Sequence, residues 1–221
     1  MMKNTCTLIM TLLLLFAAGC STDNSAIRSG DLVFVKIPSN YDLNDDSMAG
    51  AIGASTAAGC DLMTIHVAVL EVSRDTTWII DATIKHGVDR HPLDTFLTDF
   101  TLKDGSLPVF EIKRPDVSAK QARKFVDNAK EYLGLPYDVY FLPDNGAMYC
   151  SELVYNAYVM PDGRHLFSEN PMNFLDGNGE MPVYWTELFQ ILGQEVPQGT
   201  MGTNPQKMST EPALRTIRTG F

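Results

Sequence analysis

Two neighbouring apolar segments constrain the fold of this chain more than any other feature of its sequence. Residues 65–72 and 77–83 are rich in β-branched and aromatic side chains, and the short segment 73–75 between them is polar. This pattern predicts a β-hairpin with a tight turn. We favour the register that sets Val67 opposite Ile80, because it gathers the apolar side chains on one face, which a slip of one residue would divide.

The same register sets His66 opposite Asp81 on the other face of the hairpin. Directly opposed side chains of an antiparallel pair lie about 5 Å apart at Cβ. A register shifted by two residues also keeps the two side chains on one face, diagonal to each other. Glu71 has the opposite strand parity to His66, so its side chain is expected to leave by the other face. Asp81 is therefore the predicted partner of the imidazole.

Helical periodicity predicts two main helices later in the chain. Ser118, with Gln121 three residues on, has the pattern of a capping box, and the apolar spacing carries this helix to Leu133. The second helix begins near Cys150. Its predicted apolar stripe consists of Leu153, Val154, Ala157 and Tyr158.

The remaining segments carry weaker signals. Strands are predicted within 30–36 and 107–112, and short helices within 48–58 and 185–192. Residues 197–221 are rich in Pro, Gly and Thr and show no convincing periodicity, so we expect an irregular C-terminal tail.

The N-terminal residues have the layout of a secretory signal. Lys3 precedes a short apolar run, and the small residues Ala17, Ala18 and Gly19 stand directly before Cys20. The apolar run is too short to span a bilayer comfortably. Its ending resembles a bacterial lipobox, which implies cleavage before Cys20 and lipidation of that cysteine. An ordinary cleaved signal, with the cysteine incidental, is the alternative.

Composition narrows the functions to be considered. The formal net charge of −10 argues against a nucleic-acid partner. Of the four cysteines, Cys6 would leave with the signal and Cys20 would carry lipid. A disulfide between the other two, Cys60 and Cys150, is a structural alternative in an exported protein, but we expect both to be unpaired. The sequence contains no CxxC or HExxH spacing, so no metal site is predicted.

Cys150 is the candidate nucleophile because of its place at a helix start. The thiolate is the reactive form, and the free N–H groups and positive dipole end of a helix N-terminus favour it. A base must then reach the thiol, and a third group must orient the base. His66 and Asp81 supply that pair. Taken singly, the three residues are ordinarily a small buried side chain, a core histidine and a turn aspartate. Their combination favours a catalytic role.

Four short motifs support this interpretation. They are GDLVF at 30–34, HVAV at 66–69, GLPY at 134–137 and CSELV at 150–154. They resemble the motifs of NlpC-type cell-wall peptidases, in which the last two of these come first. The changed order, together with YCSEL at 149–153, resembles the circularly permuted papain-like amidases of the YiiX group. The predicted fold is accordingly α+β, a circularly permuted papain-like (NlpC-type) fold with an antiparallel sheet packed against two main helices.

The resemblance also implies roles for single residues. Cys150 matches the nucleophile, His66 the base and Asp81 the polar third member of the site. Tyr137 matches the tyrosine that lines the active site beside the nucleophile. The backbone N–H of Cys150 is expected to contribute to an oxyanion hole.

One departure from the family pattern bears on the substrate. Tyr149 stands where NlpC-type peptidases carry an aspartate that helps to hold the free amine of the substrate peptide. Glu152 is the nearby acid that can replace it, and its structural alternative is a first-turn charge that complements the helix dipole. Both are therefore candidate substrate-binding residues.

Together these features predict a lipid-anchored cysteine hydrolase, with a lipoprotein signal peptide at 1–19, a tether at 20–29 and the folded domain at 30–221. The expected reaction is hydrolysis of an amide in a cell-wall or related peptide, without a cofactor, in the bacterial cell envelope. The alternatives are a lipid acyl hydrolase or acyltransferase of the lecithin:retinol acyltransferase type, which the aromatic stretch 137–141 fits, and a non-catalytic binding lipoprotein.

Overall fold

The computed structural model describes residues 25–41, 47–74 and 76–221. The predicted signal peptide and Cys20 lie outside the described residues. None of the helices within the described ranges is long and apolar enough to cross a membrane.

Strands and helices are interspersed along the described chain. The strands are β1 Leu32–Pro38, β2 Leu62–Ser73, β3 Thr76–Thr83, β4 Gly87–Pro92, β5 Val109–Pro115, β6 Asn170–Pro171, β7 Met201–Gly202 and β8 Leu214–Thr219. The helices are α1 Met48–Thr56, α2 Leu93–Asp99, α3 Ala119–Lys130, α4 Cys150–Ala157, α5 Val183–Leu192 and α6 Pro205–Ser209. Six strands form one antiparallel sheet in the order β4-β3-β2-β1-β5-β8, and β6 pairs with β7. The fold is thus a mixed α/β architecture around an antiparallel sheet.

Both faces of the central strands are buried, which explains their continuous apolar runs. Leu32 and Phe34 of β1 face a cluster that contains the apolar sides of α3 and α4. Val33 and Val35 face a second cluster on the opposite side of the sheet, where α2 contributes Phe96. The two predicted main helices therefore cover one face, and α2, which the sequence pattern did not reveal, covers the other.

The hairpin forms, but the predicted pairing of Val67 with Ile80 is wrong by two residues, because Val69 lies opposite Ile80. Ser73 pairs with Thr76, so the centre of the turn lies one residue further along the chain than the predicted register requires. Arg74 in this turn has a φ of 56°, the left-handed conformation that tight hairpin turns use. The displaced turn is the physical reason for the changed register.

The predicted helix 118–133 forms as α3, which ends earlier than expected. Ser118 caps it by accepting a hydrogen bond from the Gln121 backbone N–H at 3.2 Å. The Gln121 side chain does not complete a capping box but donates to the carbonyl oxygen of Val159 at 3.0 Å. Tertiary contact with the segment after α4 thus replaces the reciprocal local bond.

The segment 197–221, predicted to be irregular, contains β7, α6 and β8. Strand β8 pairs with β5 and forms one edge of the main sheet. Its six residues, LRTIRT, show no strict alternation of apolar and polar side chains, and its two arginines suit an edge strand, where charged side chains discourage pairing with another chain. A segment this short is stabilised by its partner strand rather than by its own sequence, which is why the pattern missed it.

The first motif, 30–34, serves the fold rather than the chemistry. Gly30 has a φ of +87°, and a β-carbon there would lie 2.5 Å from the Ala122 carbonyl oxygen, so only glycine fits. Asp31 is 1% exposed and accepts a hydrogen bond from Arg114 Nε at 2.7 Å. This ion pair joins the start of β1 to β5.

Candidate active site

Cys150 is the first residue of α4, as predicted, and is 4% exposed. Tyr149 precedes it in an extended conformation as the N-cap residue. The thiol therefore lies at the end of the helix where backbone N–H groups lack helical partners and the dipole is positive. Among the described residues the Cys60 and Cys150 thiols are both free, so no disulfide joins them.

His66 and Asp81 are in direct contact. His66 Nε2 lies 2.7 Å from Asp81 Oδ2, and both side chains are buried. Because side chains alternate along a strand, the two-residue change in register preserved the face that they share. Cys150 lies on the other side of the imidazole, since both residues line one cleft and the negative charge that the thiol can carry raises the pKa of His66. The structure thus brings the three predicted residues into one chain of contacts.

The pKa of His66 is raised to about 10. Burial by itself lowers the pKa of an imidazole, because it disfavours the charged form. The negative charge that Cys150 can carry and the hydrogen bond to Asp81 outweigh this effect. The site therefore favours the protonated form of His66, which lies between Cys150 and Asp81.

Two aromatic rings pack against the imidazole of His66. Phe100, which follows α2, lies 4.7 Å from the His66 ring centroid, and Phe96 of α2 lies 6.2 Å from it. These rings exclude water from one side of the imidazole and restrict its rotation. Helix α2 was not predicted from the sequence, although the short amphipathic pattern after Pro92 is a signal that could have revealed it.

Two cavities meet at Cys150, and Tyr137 and Ile52 also line both. The first, here called the aromatic cavity, is walled chiefly by Tyr149, Phe141, Met172, Phe174 and Trp185. The second, here called the histidine cleft, has a volume of about 290 Å³. It is lined by His66 and by a rim that comprises Ile84, Lys85, Asp99 and Phe100. A substrate carbonyl at the thiol would therefore have a different environment on each side.

The segment after β7 anchors the start of α4. The Tyr149 hydroxyl accepts a hydrogen bond from the Thr203 backbone N–H at 3.0 Å. The Thr203 hydroxyl donates to Ser151 Oγ at 3.0 Å. A β-carbon at Gly202 would come within 2.9 Å of the same phenol oxygen, so a larger residue there would displace the Tyr149 side chain. Sequence reasoning missed these residues because the contact joins positions far apart in the chain.

Glu152 lies outside both cavities. Its carboxylate faces the loop acids Asp138 and Asp144, and Oε2 is 3.4 Å from the Tyr149 backbone nitrogen. Burial, and then repulsion from Asp138, raise the pKa of Glu152 to about 8. The structure therefore brings Cys150, His66, Asp81, Tyr137 and Tyr149 together and leaves Glu152 outside both cavities.

Comparison with known proteins identifies relatives of this chain. The family model described as "Permuted papain-like amidase enzyme, YaeF/YiiX, C92 family" matches residues 26–218. The uncharacterized protein YiiX of Escherichia coli K12 is 29% identical over 101 residues, which cover 46% of this chain and 49% of that protein. The match thus spans about half the length of that curated relative.

A solved structure has the same overall fold. It is the crystal structure of the metalloprotein yiiX from Escherichia coli O157:H7. Its superposition on this chain has a TM-score of 0.65, and the two sequences are 23% identical. The match covers 88% of this chain and 98% of that chain. The predicted resemblance is confirmed, because the family model spans nearly the whole domain: the chain belongs to the permuted papain-like amidase family YaeF/YiiX, C92.

Proposed function

We propose that this protein is a cysteine-dependent amidase in which Cys150 forms an acyl-enzyme. The family is one of hydrolases with amidase activity. The observation that carries the proposal is the chain of contacts from Cys150 at the start of α4 through His66 to Asp81. A thiol, a base and a group that orients the base are what nucleophilic acyl transfer needs.

The geometry gives each residue a step. Asp81 accepts the Nε2–H of His66 and so leaves Nδ1 to take the thiol proton of Cys150. The thiolate attacks the substrate carbonyl carbon, and the oxyanion is stabilised by the Cys150 backbone N–H. The C–N bond breaks as the imidazolium returns the proton to the leaving amine. Water then hydrolyses the thioester with His66 as base, which regenerates the thiol.

The neighbouring structure is that of a protein described as a metalloprotein, which raises the question of a metal. Within the described ranges no group of three or more His, Cys, Asp and Glu side chains is arranged to hold a metal ion. The described residues therefore do not fit a metal centre, and the steps above involve none.

The pH dependence of the thiol follows from the raised pKa of His66. We expect the rate of alkylation of Cys150 by iodoacetamide to show a component that requires the imidazolium and disappears as the pH rises through about 10. The raised pKa of His66 should also stabilise the folded state. This stabilisation should be complete below about pH 6.5, the ordinary pKa of histidine, and should be lost as the pH rises through about 10. A profile that follows only an ordinary thiol near pH 8.5 would contradict the ion pair.

We propose an amide in a cell-wall or related peptide as the substrate, without a required free amine. Tyr149 stands where NlpC-type peptidases carry an aspartate, and burial raises the pKa of its phenol above the ordinary value. The phenol is thus neutral and cannot balance an ammonium as a carboxylate does. Its hydroxyl is also occupied by Thr203.

Acetylation of the substrate amine is therefore expected to have a small effect on turnover. For a muropeptide with N-terminal L-Ala and its acetylated twin, kcat/KM should differ by less than about tenfold, equivalent to ~1.4 kcal/mol. Glu152→Gln is the matched variant. Loss of turnover on acetylation in wild type but not in Glu152→Gln would assign the amine to Glu152. Loss in both would show that another group binds the amine.

A second candidate is hydrolysis or transfer of a lipid acyl group. The aromatic cavity favours it, because Phe141, Phe174 and Trp185 offer an apolar surface next to the thiol. Parallel assays of muropeptides and of acyl esters, each with Cys150→Ala as the blank, separate the two chemistries. Turnover of esters alone would replace the amide assignment.

We also propose that Cys20 carries the lipid anchor and places the domain in the cell envelope. The support is the run of small residues directly before this cysteine. Intact-mass and N-terminal peptide analysis of the membrane fraction should find a mature N-terminus at an acylated Cys20, and Cys20→Ala should stay uncleaved or be released. A mature terminus at any other residue would refute the lipoprotein assignment.

A further inference from the structure

A second histidine lies behind the acid of the proposed active site. His91 of β4 is 7% exposed, and among the described residues neither of its ring nitrogens has a hydrogen-bond partner. Asp81 Oδ1 is likewise buried without one, although Oδ2 of the same carboxylate contacts His66. His91 Nε2 is 3.8 Å from Asp81 Oδ1. The two unpartnered buried groups therefore face each other.

Strand pairing places these groups together. In the β3–β4 ladder Ile79 lies opposite His91, and Asp81 lies opposite Asp89. His91 and Asp81 are thus diagonal neighbours on one face, within reach of long side chains. Phe96 stacks on the His91 ring at 6.4 Å and 20°, which fixes the plane of the imidazole.

Burial makes this pair energetically significant. A buried carboxylate oxygen without a donor is unfavourable, and a hydrogen bond to a charged group is stronger than one between neutral groups. The separation of 3.8 Å exceeds hydrogen-bond length, and a shift of about 0.8 Å brings it into range. Of the two groups, only the imidazole can donate to the ionised acid.

We propose that His91 is a positioning residue whose Nε2–H donates to Asp81 Oδ1 and so holds Oδ2 on His66. This inference rests on the proposed function, because positioning matters only if His66 is the base. The chain of contacts then runs from Cys150 through His66 and Asp81 to His91. Each oxygen of the Asp81 carboxylate contacts one imidazole, Oδ2 that of His66 and Oδ1 that of His91.

Other charged groups surround this chain. Asp89 Oδ2 lies 3.6 Å from His91 Nδ1, and the Asp89 side chain is 45% exposed. His86, in the turn between β3 and β4, has its ring 6.3 Å from that of His91 and pairs with Asp99 at 3.4 Å. Lys85 also binds Asp99, at 2.7 Å. Asp89 and His86 thus face Nδ1 and the ring rather than the Nε2 atom that the proposal uses.

The test compares His91→Met with His91→Gln. Methionine fills similar space without a donor, whereas the glutamine amide retains one. Iodoacetamide alkylation of Cys150 is measured in both variants and in wild type across the pH range, with thermal midpoints recorded. We expect the alkylation rate at neutral pH to fall about tenfold in His91→Met, with the high-pH limb moved to lower pH. His91→Gln should restore both. Lower thermal midpoints with unchanged pH profiles would overturn the proposal.

A measurement on the wild-type protein does not depend on either variant folding. Nitrogen-15 NMR of the histidine rings should show His91 protonated at Nε2. A tautomer protonated at Nδ1 alone would overturn the positioning role. Failure of the proposed function is distinguishable, because it would appear as full activity of Cys150→Ala whatever the state of His91.

Discussion

Cys150→Ala is expected to abolish hydrolysis, whereas Cys60→Ala should leave kcat/KM unchanged. Without the thiol no acyl-enzyme can form, and loss of a nucleophile costs about 10³-fold or more. Cys60 lies in the turn after α1, where its sulfur is 3.9 Å from Gln206 Nε2, and it does not line the cavities at Cys150. The measurement is kcat/KM on whichever substrate the muropeptide and ester assays identify.

Iodoacetamide labelling gives the same comparison without a substrate. Peptide mapping should find the adduct at Cys150 at pH 6, and Cys60→Ala should not reduce it. A thiol at Cys150 that stays unmodified at pH 6, in protein that is folded, would favour a non-catalytic binding protein. Activity retained by Cys150→Ala would remove the acyl-enzyme mechanism altogether.

Asp81→Ala is expected to lower turnover by about 10²–10⁴-fold, since a base without its orienting acid is left in the wrong tautomer and orientation. The matched control is Glu71→Ala, the acid on the same hairpin with opposite parity. Glu71 binds Arg90 Nε at 2.7 Å and Lys130 Nζ at 2.5 Å, on the face away from His66. Its loss should lower the thermal midpoint and leave kcat nearly unchanged.

The two variants separate catalysis from folding. Circular dichroism at the assay temperature establishes that each is folded before rates are compared. The reverse result, with Glu71→Ala inactive and Asp81→Ala active, would show that the orienting acid is misassigned.

Two features of the candidate site could be predicted from the sequence. They are the strand face to which a side chain points and the residue at which a helix begins. His66 and Asp81 share a face in both registers, so the error of two residues in the pairing of Val67 did not separate them. The absolute register depended on the position of the turn at Arg74, which a hydrophobic pattern does not specify.

Local pattern thus determined the hairpin, the helix that begins at Cys150, the partner of His66 and membership of the family. Only the tertiary structure decided which residues surround them. Phe100 beside the imidazole, Thr203 on the Tyr149 hydroxyl and His91 behind Asp81 come from short elements with little periodicity of their own. Such elements are stabilised by packing between distant segments, whereas periodicity reports only which face of a single element is buried.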